Sequence, residues 1–204
     1  MRKTLNPIIC LVFMLASTAS FAQTQLTKEE RQKAQDHLKM TQKELLATVK
    51  GLSDAQLNYK PDAESWSVAE CVEHLTISEN NIFGIVQMTL ENDPDPSMRS
   101  EVGMTDDQLV GMITSREQKV KTREEFEPSG KFGDYNATLA AFKEKRKSNL
   151  DFVKNTDQDL RNRYFDFPFG KVDAYQVILF MSGHVTRHTD QIKEVMASDG
   201  FPKS

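Results

Sequence analysis

Residues 66–79 read WSVAECVEHLTISE, and the reading of this stretch decides how the chain is built. Ser67-Val68-Ala69-Glu70 is a capping box: the Ser67 hydroxyl can accept from the N3 amide while Glu70 reaches back to the cap amide. Trp66 stands before the cap and Cys71 one turn beyond it, the two positions of a hydrophobic staple. Val68, Val72, Leu75, Ile82, Val86 and Leu90 then recur at helical spacing and mark one apolar face. The segment Glu91-Asn92-Asp93-Pro94 ends it. Two polar residues interrupt this pattern. Glu79 falls on the apolar side, in line with Val68, Val72 and Val86, and His74 stands at its margin.

Working outward, the same start signal recurs. Thr27-Lys28-Glu29-Glu30 is a second capping box, opening a helix through about residue 50, and Gly51 follows where a left-handed residue belongs. Ala34, Leu38, Leu45 and Val49 lie on one side of it. A third long helix spans about 134–155, with Leu139, Phe142, Leu150 and Val153 as its apolar positions. The fourth starts at Asp173-Ala174-Tyr175-Gln176, where Asp173 can cap and Gln176 can reach back. Val177, Ile178, Met181, Val185, Ile192, Val195 and Met196 carry it to about Ser198. Between the second and third helices lies a long connection, 92–133, with a short helix over about 105–116. Parallel neighbours in a bundle need such a crossover, whereas antiparallel neighbours need only a few residues. No strand-like alternation competes over any length, although YFDFPF (164–169) can form a short extended piece. The expectation is one all-α domain, a four-helix bundle with a long connection between helices two and three.

The N-terminal residues carry a different message. Arg2 and Lys3 precede an apolar core over 8–16 too short to span a bilayer, and Ser20-Phe21-Ala22 places small residues at a signal-peptidase site. Residues 1–22 read as a signal peptide and 23–204 as the single domain of an exported protein, periplasmic or secreted. Cleavage removes two of the 26 basic residues, leaving 24 against 30 acids, a net charge of −6. An acidic chain without a Lys/Arg cluster argues against nucleic acid as a partner, and no later apolar run is long enough for membrane insertion. Cys10 leaves with the signal, so Cys71 has no partner for an intramolecular disulfide.

Residues 182–192 read SGHVTRHTDQI and hold half of the four histidines. Four residues apart on a helix, His184 and His188 project together beside the stripe of Met181, Val185 and Ile192, with Gln191 on the next turn. One reading is two polar residues at a helix margin. The other is a metal site completed by His74, provided helices two and four are neighbours. Three neutral imidazoles leave coordination positions open, as a working rather than structural ion requires. His37, beside Leu38 on the first helix, reads as a boundary residue.

The run at 66–79, preceded by GLSDAQLNYKPDAES (51–65), resembles the DinB-like family of four-helix metalloproteins, as does FGKVDAYQVILFMSGHVTRHTDQI (169–192). The resemblance spans about 27–196 and implies a bundle with a long link between helices two and three. It also implies a divalent ion held by His74, His184 and His188. Three histidines suit Zn²⁺, Ni²⁺, Fe²⁺ or Mn²⁺. Such an ion can activate water for hydrolysis or bind a thiolate, and the family implies both metal-dependent hydrolases and transferases or isomerases using low-molecular-weight thiols. Those thiols are chiefly cytosolic, so export places hydrolysis of a small substrate first. A non-catalytic metal- or ligand-binding bundle is the alternative of another class. Glu79 is the candidate general base, with an interhelical salt bridge as its other reading. Gln191 could orient water or hold a ligand. Cys71 reads as a small buried hydrophobe and Trp66 as staple and core. Phe and Met side chains of the long connection could line a pocket or a contact between two copies.

Overall fold

Helix-start signals written into the sequence are realised in the computed structural model, which describes residues 25–118 and 120–203. The signal-peptide segment lies outside the described residues. In chain order the elements are α1 (Lys28–Thr48), α2 (Asp54–Asn58), α3 (Val68–Leu90), α4 (Asp106–Thr114), α5 (Tyr135–Asn155), β1 (Tyr164–Phe167), β2 (Gly170–Asp173) and α6 (Ala174–Met196). Both hydrogen bonds of the capping box form at Thr27/Glu30, Ser67/Glu70 and Asp173/Gln176, and Gly51 takes φ +76° after α1.

The four long helices form the bundle, and their cross-contacts fix its topology. Thr76 meets the Thr138 carbonyl, Glu79 meets Arg146, and Phe83 meets Phe152, so α3 and α5 run parallel side by side. Tyr175 donates to the Glu30 carbonyl, Thr41 pairs with Ser182, and Lys193 with Glu44, so α1 and α6 are also parallel. Arg31 reaches the Val153 carbonyl while Arg146 reaches that of Leu38, which makes α1 and α5 antiparallel. The parallel α3/α5 pair is what the long connection 92–133 makes possible. α4, inside that connection, lies on α6: a Cβ added at Gly183 would stand 2.6 Å from Ile113 Cγ2, so glycine is what lets the two helices approach.

The core has two apolar clusters. One gathers Leu38, Ile82, Phe83, Val86, Val153, Ile178 and Met181; the other gathers Leu45, Val68, Val72, Leu75, Phe142, Val185 and Ile192. Between them each long helix contributes buried polar residues: Thr41, Glu79, Arg146, Asn149 and Ser182.

Two elements depart from expectation. The piece at 164–169 is half of a β-hairpin, paired in register Tyr164↔Asp173 to Phe167↔Gly170. Its turn ends at Gly170, whose φ of +131° suits glycine. α2, unread in the sequence, has its own capping box of Ser53 and Gln56. Among the described residues no helix is long and apolar enough to cross a membrane.

Candidate metal centre

α3 and α6 pack against each other and bring His74, His184 and His188 together. Their Nε2 atoms form a near-regular triangle: 3.3 Å from His74 to His184, 3.1 Å from His74 to His188, and 3.1 Å from His188 to His184. An ion bonded tetrahedrally to imidazoles at ~2.0–2.1 Å holds their nitrogens about 3.3 Å apart, so the triangle has the size such an ion sets.

The outer ring nitrogens fix the proton positions. His74 Nδ1 donates to the Phe126 carbonyl at 2.8 Å, an acceptor only, which leaves Nε2 with its lone pair. His188 Nδ1 lies 2.8 Å from Gln191 Oε1 and donates to it in the same way. Two unprotonated nitrogens 3.1 Å apart repel unless a cation lies between them. Burial lowers the pKa of His74 against the pull of the Phe126 carbonyl. His184 and His188 are held well below their ordinary value, first by burial and then by the neighbouring imidazoles. All three are neutral at pH 7, the form that binds metal. These residues could hold a divalent cation.

A sequence profile described as the DinB superfamily matches residues 37–192. The chain belongs to the DinB superfamily. It is 26% identical over 151 residues to the uncharacterized protein YuaE of Bacillus subtilis (strain 168), covering 72% of this chain and 87% of that protein. Among solved structures it resembles YfiT from Bacillus subtilis, described as a probable metal-dependent hydrolase with an unusual four-helix bundle topology. The TM-score is 0.54 at 19% identity, over 87% of this chain and 91% of that one. That likeness supports the four-helix fold.

In this DinB-superfamily chain the walls of the site are aromatic. The Trp66 ring lies 4.8 Å from that of His74 and 6.1 Å from that of His188, so the staple residue also covers two imidazoles. Phe180, one turn before His184, stacks on it at 6.3 Å. Ser78, 1% exposed, places its hydroxyl 3.5 Å from His74 Nε2. The long connection closes over the same residues. Besides the Phe126 carbonyl, Glu73 Oε1 accepts from the amides of Ser129, Gly130 and Lys131. Arg116 donates to Gln191 and pairs with Glu194, and Arg187 donates to the Gln118 carbonyl.

Glu79 takes the salt-bridge arrangement of its two readings. Its carboxylate is held by Arg146 through Nε and Nη2 at 2.7 Å each, and Asn149 donates to Oε1 at 2.9 Å. Both partners of the ion pair have fully buried side chains. Gln191 acts on a histidine, fixing the ring of His188. His37 stands apart from the triad, its Nδ1 buried without a hydrogen bond. Cys71 is buried and its thiol is pushed up to about 12 by burial, which makes it inert. Sequence reasoning missed Phe126, Ser78 and Phe180. The first acts through its backbone from 52 residues away and carries no side-chain signal. The other two are visible as the i+4 neighbour of His74 and the i−4 neighbour of His184.

Proposed function

We propose that the protein is an exported metal-dependent hydrolase of a small substrate, its divalent ion held by Nε2 of His74, His184 and His188. The observation that carries this is the Nε2 triangle with edges of 3.1–3.3 Å, two of whose members donate their other ring proton to fixed acceptors. When bound, such an ion supplies Lewis acidity and an activated water. The chain's own residues do the rest. Phe126 and Gln191 hold the tautomers of His74 and His188, Trp66 and Phe180 exclude bulk water, and the Ser78 hydroxyl stands ready to hydrogen-bond what enters beside His74. A protein nucleophile is not favoured, because the Cys71 thiol is buried and raised to about 12. Glu79 serves as the anchor of Arg146 rather than as base. The description of YfiT supports hydrolysis, and the N-terminal signal pattern supports export.

Elemental analysis of the purified mature chain tests the first step: about one divalent ion per chain is expected, and its identity will emerge there. A screen of ester, amide and thiol-transfer substrates should then show metal-dependent hydrolysis that His74→Ala abolishes. Thiol transfer without hydrolysis would move the assignment to a transferase. Metal binding without turnover on any class would leave a binding bundle. N-terminal sequencing of the exported protein should begin at Gln23.

A further inference from the structure

Phe180 belongs to a cluster of three rings. Phe167, on β1, stacks on Phe180 at 5.0 Å with planes 30° apart. Phe169, at the hairpin turn, stacks on Phe167 at 4.9 Å and 8°, and on Phe180 at 5.7 Å and 24°. Phe180 in turn stacks on His184 at 18°. Three mutually stacked rings thus gather at the hairpin turn, and one of them, Phe180, reaches a histidine of the triad. One of the three is more than the fold requires. Phe169 lies outside the paired register of the hairpin and is 37% exposed, whereas Phe165 and Phe167 already pack the hairpin on the core. Lys171, the hairpin's own cation, is engaged by Asp166 and Glu101, so the cluster presents rings rather than a free charge.

We infer that the face formed by Phe167, Phe169 and Phe180 is a substrate seat, taking the flat apolar part of a small molecule whose polar head reaches the ion at His184. This rests on the metal reading above and narrows it to substrates with an aryl or similarly planar apolar group beside the reacting bond. Stacked rings favour such a group by offset contact at 4.5–7 Å, the separation already used within the cluster.

The test uses the mature chain loaded with zinc and two probes sharing one metal-binding head, acetohydroxamate and benzohydroxamate, compared by calorimetry. Benzohydroxamate should bind about tenfold more tightly. Phe169→Ala should remove that preference and leave acetohydroxamate unchanged. Phe169→Leu, which keeps apolar bulk, should retain part of it. Equal affinities in the unaltered protein would overturn the seat, as would a Phe169→Ala protein that keeps the preference or weakens both probes alike. In each of those outcomes zinc still binds, so the metal reading stands. Failure of zinc uptake would instead overturn the metal reading and this one with it.

Discussion

At the scale of single residues, the most informative contact is the one Gln191 makes. Its Oε1 accepts the Nδ1 proton of His188 and also receives Arg116, so the amide is held from two sides. A second partner of this kind fixes the ring and its tautomer, and losing one weakens metal binding by about 10–100-fold. Gln191→Leu should therefore bind zinc more weakly by that factor in a chelator competition, with helical content unchanged. An affinity equal to that of the unaltered protein would show that packing alone orients His188. His74 offers the contrast, because its acceptor is the Phe126 carbonyl and no side-chain substitution removes it. The two imidazoles are secured by different means, one editable and one built into the course of the long connection.

At the scale of elements, the polar layer decides how the four helices register. Arg146 on α5 bonds Glu79 on α3 with both ends of its fork and the Leu38 carbonyl and Thr41 hydroxyl on α1 with Nη1. Arg146→Ala leaves Glu79 charged and buried, a loss of about 3–5 kcal/mol in urea unfolding. The double replacement Arg146→Met/Glu79→Leu should recover most of it, since removing both charges leaves neither uncompensated. A double variant as unstable as the single one would mean that the layer contributes more than its ion pair. α4 depends on a different detail. Gly183→Ala drives a methyl into Ile113 Cγ2 and should cost about 1–3 kcal/mol, relieved when Ile113→Ala is added. The contrast shows what was legible in the sequence. Caps are local, three or four residues long, so Thr27, Ser67 and Asp173 placed three helices correctly, and the i,i+4 spacing of His184 and His188 placed two of the three clustered imidazoles. α2 was just as legible through Ser53 and Gln56. The partner of Glu79 was not, because Arg146 lies 67 residues away and meets it only through the register of two helices. β2 escaped for a related reason: four residues, GKVD, carry no alternation and become a strand only by pairing with β1.

At the scale of the whole molecule, all four histidines of the chain shift in one direction. Burial lowers His37, with Arg146 and Lys33 adding to it, and lowers His74, His184 and His188 as well. In the unfolded chain they return to the ordinary value of 6.5. As pH falls through that value the unfolded state takes up protons that the folded state refuses, so stability present above about pH 6.5 is progressively lost below it. Glu30 and Asp106 lie below this window. Burial opposes the ionisation of Glu30 and Asp106, yet Thr27 and Arg161 for the first, and Arg161 for the second, leave both below their ordinary values of 4.5 and 3.8. Their contribution is therefore lost only at still lower pH, while Asp173, raised by its burial, acts with the opposite sign. Metal-free protein should accordingly show a falling urea midpoint between about pH 7.5 and pH 5.5. His184→Gln should flatten that slope, because one of the two most strongly shifted groups no longer titrates. Zinc should raise the midpoint across the whole range, since it binds only the folded state, whose histidines are already unprotonated. A metal-free protein whose midpoint stays level across this range would show that the histidines accept protons where they stand, and that the triangle they form is looser in solution than its 3.1–3.3 Å edges require.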